Sequence, residues 1–162
     1  MALYLDEREK IQSGDLLIWS QEKLETLSDL IPYIVRFFTM SDYNHVGIAW
    51  KVEGRLFVIE ATLPEIRIHP VSKRRPFYYI PMGVKMDDKG LNYLLNLIGK
   101  DYSIRQAVLA LFGKSLKDEY ICTELAKEFY NLYGVDVGED LTPGGMVHNI
   151  LSIHDTDLIH VK

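Results

Sequence analysis

Three side chains that are far apart in the sequence could together perform nucleophilic chemistry. Cys122 is the single cysteine of the chain, and it lies where an amphipathic helix is predicted to begin, after Asp118-Glu119-Tyr120-Ile121. Backbone N–H groups and the dipole at a helix N-terminus stabilise a thiolate anion. A thiolate beside an imidazole base attacks carbonyl carbons, so Cys122 is a candidate nucleophile. The alternative is an inert thiol packed in the core, the commoner state of lone cysteines.

His45 is the candidate base. It opens the apolar run Val46–Val52, and an imidazole at the start of a buried strand is held rigidly while still bordering a cleft. Glu60 ends a second apolar run, Leu56–Ile59. The linker Glu53-Gly54-Arg55 predicts an antiparallel hairpin, which would bring His45 and Glu60 to the same end of neighbouring strands. Glu60 could then fix the tautomer of His45. The alternatives are a structural histidine and a solvated glutamate.

The surrounding elements fit this placement. Strand patterns occur in six segments, and helical patterns follow mainly in the second half of the chain, which predicts an α+β domain with an antiparallel sheet packed against helices. The predicted strands are Leu16–Trp19, Val46–Val52, Leu56–Ala61, Ile66–Val71, Phe77–Pro81 and Leu158–Val161. The predicted helices are Glu22–Met40, kinked at Pro32, Asp87–Gly99, Ile104–Phe112, Tyr120–Tyr133 and a short one that begins at Thr142-Pro143.

Composition predicts one domain over residues 1–162. Hydrophobic residues make up 48%, charged residues 25%, and the net charge is -5, which gives no reason to expect nucleic acid as a partner. The short cluster Lys73-Arg74-Arg75 is interpreted as a solvated loop. His148, His154 and His160 lack compact ligand spacing, so no metal is expected. A single cysteine excludes a disulfide framework. No organic cofactor is expected either.

The sequence also gives an expectation about where in the cell the protein is found. The N-terminal residues turn charged at once and show no apolar signal region, which favours a cytoplasmic protein. The most apolar stretch, Leu30–Phe38, contains Arg36 and is far shorter than the ~20 residues that a membrane helix needs. No transmembrane segment is expected. The apolar helix around Ile34 and Phe38 could wall an acyl-binding cleft or serve as core; the sequence leaves both open, together with the oligomeric state.

Several short motifs, in order, resemble the circularly permuted branch of the NlpC-type papain-like superfamily, the YiiX-like proteins related to lecithin:retinol acyltransferase. The motifs span Gly14 to about Pro143. They are Gly14-Asp15-Leu16-Leu17, His45-Val46-Gly47-Ile48, Ile59-Glu60-Ala61, Gly99-Lys100-Asp101-Tyr102, and Tyr120-Ile121-Cys122-Thr123-Glu124-Leu125 followed by Leu141-Thr142-Pro143. Thr123 stands where serine is commoner in the family, and many relatives carry a secretion or lipoprotein signal that this chain lacks.

The resemblance implies a permuted papain-like domain whose nucleophile lies at a helix N-terminus. It assigns Cys122 as nucleophile, His45 as base and Glu60 as the orienting residue, with Tyr102 and Tyr120 near the oxyanion or substrate. The expected activity is hydrolysis of an amide bond in a cell-wall peptide or similar small substrate through a thioester. The alternatives are an acyltransferase, amidase or esterase acting on a lipid, a non-catalytic binding module on the same fold, and a redox or signalling thiol protein.

Overall fold

The computed structural model describes residues 3–20, 42–103 and 120–162. Within these residues, six strands form one sheet and four α-helices surround it. The strands are β1 (Leu16–Trp19), β2 (His45–Val52), β3 (Arg55–Ala61), β4 (Ile66–Pro70), β5 (Phe77–Ile80) and β6 (Ile159–Val161). The helices are α1 (Tyr4–Glu7), α2 (Asp88–Leu95), α3 (Cys122–Asn131) and α4 (Pro143–Ile153), with a 3₁₀ turn at Val71–Lys73.

The strands lie in the order β4-β3-β2-β1-β5-β6, and every neighbouring pair is antiparallel. The β2–β3 hairpin closes through Glu53 and Gly54, both with positive φ, as a tight two-residue turn requires. Because β1 lies inside the sheet, all four of its residues are buried on alternating faces. This order places the first residue of β2 next to the last residue of β1.

The sheet is covered on both faces. On one face, α2, α3 and α4 pack against strand residues that include Ile18, Val46 and Ile59. On the other face, α1 and the 3₁₀ turn cover a second apolar cluster that includes Leu17, Trp19 and Val58. Burial of apolar surface on both faces of the central strands gives the sheet most of its stability, at roughly 25 cal/mol per Å² removed from water.

The predicted strands and the mixed α/β arrangement, with an antiparallel sheet packed against helices, are confirmed. Three helices differ from the prediction. Helix α2 ends at Leu95, four residues before the predicted end at Gly99. Helix α3 begins at Cys122, two residues later than predicted, and α4 has 11 residues and is not short. Helix α1 was not predicted from the sequence. The predicted helices Glu22–Met40 and Ile104–Phe112, and the question of a cleft wall around Ile34–Phe38, lie outside the described residues.

Across the described ranges, no helix combines the length and the apolar character needed to cross a membrane.

Candidate active site

A histidine and a glutamate from neighbouring strands form the centre of the site. His45 is the first residue of β2, Glu60 is near the end of β3, and the antiparallel pairing brings them to one end of the hairpin. The ring Nε2 of His45 lies 2.7 Å from Oε2 of Glu60. Both side chains are buried, and Glu60 has no solvent exposure at all. The contact is therefore a desolvated, charge-assisted hydrogen bond, the stronger kind.

Gly47 provides the space that this pair needs. In the β2–β3 ladder Ile48 faces Ile59, which puts Gly47 and Glu60 side by side. A Cβ atom added to Gly47 would lie 2.5 Å from Cγ2 of Val58 and 3.2 Å from Cβ of Glu60. His45 and Gly47 lie on the same face of β2 because side chains alternate along a strand. A glycine two residues after the histidine thus lets the glutamate side chain lie against the strand.

Two arginines hold the Glu60 carboxylate from its other sides. Arg67, directly opposite Glu60 in the β3–β4 ladder, donates to Oε1 through Nε (3.1 Å) and Nη2 (3.0 Å). Arg74 donates to Oε2 through Nη1 at 2.6 Å. Burial alone raises the pKa of Glu60, but the charge and hydrogen bond of His45, together with the charges of Arg74 and Arg67, outweigh it. The pKa of Glu60 is well below its usual range, so the carboxylate is ionised.

An ionised Glu60 can only accept hydrogen bonds, so the proton between the two residues belongs to Nε2 of His45. The other ring nitrogen, Nδ1, is then free to take a proton when the ring is neutral. The thiol of Cys122 lies near enough to the ring to raise the pKa of His45. Burial and the charge of Arg74 lower the pKa of His45. The negative charge of Glu60 and hydrogen bonding to Cys122 and Glu60 outweigh them, so the pKa of His45 is raised.

Cys122 is the first residue of α3, and its side chain is buried, with 6% of the residue exposed. The N-cap residue, Ile121, makes no side-chain hydrogen bond to the helix. The N–H groups of a first helical turn have no partner within the helix, and an isoleucine has no atom with which to cap them. Oγ1 of Thr123 donates to the Leu141 carbonyl at 2.6 Å and so ties the start of α3 to the segment before α4.

The two tyrosines expected near the oxyanion occupy different surroundings. Tyr102 packs beside Ile121 and Leu141, and burial together with the nearby charge of Cys122 raises its pKa, so the hydroxyl keeps its proton. The hydroxyl of Tyr120 is hydrogen-bonded to that of Tyr93, and the ammonium of Lys100 lies 5.3 Å from the Tyr120 ring centroid. The structure thus brings Tyr102 close to Cys122 and joins Tyr120 to the outer surface of α2.

Sequence reasoning missed both arginines and Trp19. The interpretation of Lys73-Arg74-Arg75 as a solvated loop is wrong for Arg74, which bonds the buried Glu60 and lies 4.6 Å above the Trp19 ring. Indole Nε1 of Trp19 donates to the Arg74 carbonyl at 2.9 Å and fixes that backbone. A signal for Arg67 existed in the sequence, since the predicted β3 and β4 could be aligned so that Arg67 faces Glu60.

Other residues of the motifs have structural roles. Asp15 accepts hydrogen bonds from the N–H groups of Gln12 (2.8 Å) and Met82 (3.1 Å), which tie the turn before β1 to the segment after β5. Gly14 has φ +102°, a conformation that favours glycine.

The three histidines outside the site have ordinary surroundings. His154 bonds the Asp136 carbonyl, His160 stacks on Tyr78, and His148 is exposed on α4.

Comparison with known proteins identifies the architecture. The structure superposes on the crystal structure of the metalloprotein YiiX from Escherichia coli with a TM-score of 0.56 and 19% sequence identity, over 78% of this chain and 69% of that one. The chain has a YiiX-like fold. At this level of identity the likeness shows the fold alone.

At the sequence level, no family model matches the chain. The chain is 35% identical over 72 residues to an uncharacterised protein of Acanthamoeba polyphaga mimivirus, a match that covers 44% of this chain. The same match covers 29% of the viral protein, so the chain spans less than a third of the length of that relative.

The Escherichia coli protein with the YiiX fold is described as a metalloprotein. In the part of this chain that the structure describes, no group of three or more His, Cys, Asp or Glu side chains could hold a metal ion. Near His45, both oxygens of Glu60 accept hydrogen bonds from Arg67, Arg74 and His45, and two guanidinium groups repel a further cation. The described residues of this site therefore do not fit a resident metal, and the chemistry proposed below uses none.

Proposed function

We propose that this protein is a hydrolase that cleaves an amide bond with Cys122 as nucleophile, His45 as general base and Glu60 as the residue that orients His45. In this proposal the domain is papain-like in permuted order, with the histidine and the glutamate before the cysteine in the chain. The observation that carries the proposal is the buried hydrogen bond between His45 and Glu60, with Cys122 buried at the start of α3 and near enough to raise the pKa of His45. A carboxylate, an imidazole and a thiol in that order form a catalytic triad.

The chemistry follows from the hydrogen-bond directions. Nδ1 of His45 accepts the thiol proton while Nε2–H stays bonded to Glu60, and the sulfur of Cys122 attacks the carbonyl carbon of the substrate. The carbonyl oxygen becomes an oxyanion, for which the backbone N–H of Cys122 at the start of α3 is a candidate donor. Protonated His45 gives its proton to the leaving amine, and a thioester remains on Cys122. Water, deprotonated by His45, then releases the acid and restores the thiol.

Tyr102 is a candidate second donor to the oxyanion. Its hydroxyl keeps its proton over the working range of pH because burial and the Cys122 charge raise its pKa. Removing one donor from such a site typically lowers turnover by about 10²–10³. Tyr120, whose hydroxyl is bonded to Tyr93, is assigned to the rim of the site and not to the oxyanion.

Alkylation of Cys122 by iodoacetamide as a function of pH tests the nucleophile, because the chain has no other cysteine. The expected result is a rate at neutral pH well above that of a free thiol, which falls in His45→Ala. A rate that equals that of a free thiol and does not change in His45→Ala would point to the binding module. Reversible oxidation of Cys122 without any acyl adduct would point to a redox thiol protein.

Intact-mass spectrometry after exposure of the full chain to cell lysate tests the thioester. An added acyl mass on the wild type identifies the substrate class, peptide or lipid, and subsequent transfer to an amine or alcohol separates a transferase from a hydrolase. Cys122→Ala is the matched control. An adduct that persists in Cys122→Ala would show that the acyl group is not carried by the sulfur and would remove the mechanism.

A further inference from the structure

The charges around Glu60 do not balance. One carboxylate receives two guanidinium groups and the His45 ring, so the cluster carries excess positive charge even when His45 is neutral. Three more basic side chains lie in the same short segment, at His69, Lys73 and Arg75, and the segment 66–76 contains no acidic residue. This is a local feature, since the chain as a whole has a net charge of -5.

Both arginines have hydrogen-bond donors that do not bond Glu60. A guanidinium has five N–H donors. Arg67 uses Nε and Nη2 for Glu60, and Arg74 uses Nη1, while their remaining donors have no partner among the residues that the structure describes. The two side chains are 41% and 32% exposed, whereas Glu60 is fully buried. The buried carboxylate therefore anchors two guanidinium groups whose outer edges remain accessible.

The arginines are also close to the reacting atoms. Nη1 of Arg74 and Nε2 of His45 bond the same oxygen of Glu60, at 2.6 and 2.7 Å. The charge of Cys122 is near enough to Arg74 to influence it. The Trp19 ring under the guanidinium and the indole bond to the Arg74 carbonyl hold Arg74 in place. A substrate group bound by these arginines would lie beside the bond that is cleaved.

We propose that Arg67 and Arg74 bind an anionic group of the substrate, a carboxylate or a phosphate, next to the scissile amide. This inference rests on the proposed function and names its substrate class. Guanidinium groups bind both anions in a fork geometry, and two of them anchored by a single carboxylate leave a net charge for a third partner. A carboxylate would come from a peptide, and a phosphate from a lipid headgroup or a phosphorylated metabolite.

Two alkylating reagents that differ mainly in charge measure this preference directly. Iodoacetate is an anion and iodoacetamide is its neutral analogue, and both report on Cys122 alone. We expect the ratio of the iodoacetate rate to the iodoacetamide rate to be about three- to tenfold higher for the protein than for N-acetylcysteine at low salt, and to fall as salt is added. Arg67→Gln should lower the ratio, and Arg55→Gln, a charge-matched change at the exposed start of β3, should leave it unchanged.

The ratio separates this inference from the proposed function. If Arg67 acts only by holding Glu60, its replacement slows both reagents equally and the ratio stays constant, which would overturn anion binding. A ratio equal to that of N-acetylcysteine in the wild type would also overturn it. Failure of the proposed function has a different signature: an iodoacetamide rate that does not respond to His45→Ala, whatever the ratio.

A second measurement does not depend on reactivity. The chain has two tryptophans, so Trp50→Phe leaves Trp19, beneath Arg74, as the single indole reporter. Titration of this variant with inorganic phosphate or N-acetylglycine at constant ionic strength should shift the Trp19 fluorescence with saturation. The anion that saturates at lower concentration identifies the source, lipid or metabolite phosphate against peptide carboxylate. The neutral N-acetylglycinamide is the control, and no saturable response to either anion would overturn the proposal.

Discussion

At the scale of single residues, Glu60 organises the site. An unpaired carboxylate with no solvent exposure would be strongly destabilising, and four hydrogen bonds from His45, Arg67 and Arg74 compensate for the lost hydration. The same contacts hold the His45 ring in one tautomer with Nδ1 available for the thiol. A single buried charge thus fixes both the stability and the chemical state of its neighbours.

Glu60→Gln tests this role with a side chain of nearly equal volume. The neutral amide leaves two guanidinium groups and the His45 ring without a charged acceptor. We expect the free energy of unfolding to fall by about 3 kcal/mol, the lower end for a broken buried ion pair because both arginines are partly exposed. Urea unfolding followed by circular dichroism measures it, with the exposed Glu65→Gln as control. A loss within 0.5 kcal/mol, roughly that of an ordinary surface change, would show that the carboxylate charge is unimportant.

The raised pKa of His45 makes stability depend on pH with a definite sign. A group whose pKa is higher in the folded state favours folding fully below its unfolded pKa, about 6.5 for histidine, and this contribution is lost as pH rises through the folded value. The difference in unfolding free energy between wild type and His45→Gln should therefore shrink from pH 6 to alkaline pH. Urea titrations at several pH values measure it, and a difference that grows with pH would contradict the assignment.

At the scale of elements, helix α3 must present Cys122 to the first residue of β2. Its N-terminus is fixed by the Thr123 hydroxyl on the Leu141 carbonyl, and the next residue, Thr142, caps α4 by accepting from Gly145 N–H at 3.1 Å. The Asp140 carboxylate accepts from the Thr142 N–H at 2.8 Å. One short segment therefore holds the N-termini of two helices, and the position of Cys122 depends on it.

Two substitutions of Thr123 separate the hydroxyl from its volume. Thr123→Val keeps the shape but leaves the buried Leu141 carbonyl without its donor, so stability should fall by about 1–2 kcal/mol. The alkylation rate of Cys122 should fall with it, because the start of α3 is no longer anchored. Thr123→Ser keeps the donor and should retain the rate. Equal rates for the two variants, measured with iodoacetamide, would show that the hydroxyl does not position the helix.

At the scale of the whole molecule, the sheet and the helices are joined by a few buried polar contacts among many apolar ones. The Tyr130 hydroxyl, near the C-terminal end of α3, donates to the Gly14 carbonyl at 2.9 Å, across 116 positions of sequence. Asp15 then links the same turn to the segment after β5. These contacts fix how α3 lies on the sheet, and with it the distance between Cys122 and His45.

Tyr130→Phe removes this link without changing the packing of the ring. The Gly14 carbonyl loses a buried donor, and the free energy of unfolding should fall by about 1–2 kcal/mol. Tyr133→Phe is the control, because its hydroxyl bonds Asp87 at an exposed position and should cost less. Parallel urea unfolding of the two variants measures the difference. A larger loss for Tyr133→Phe would mean that the contact between Tyr130 and Gly14 contributes little.

The sequence by itself determined the strands, helix α3 and part of the site. Alternating and helical periodicity located the strands and α3, and the short linker at Glu53-Gly54 predicted the hairpin that brings His45 to Glu60, because a tight turn fixes the strand register. Cys122 at a helix start followed from local pattern as well. These features are local, so short-range spacing is sufficient to specify them.

Only the tertiary structure decided the rest. Three features join segments that are distant in sequence. They are the approach of Cys122 to His45, the two arginines that bond Glu60, and the contact of the Arg74 guanidinium with the Trp19 ring. Charge runs such as Lys73-Arg74-Arg75 are usually solvated, and nothing local marks the residue whose partner is buried elsewhere. Long-range contacts depend on how the sheet and the helices pack as a whole, and periodicity within one segment carries no information about that packing.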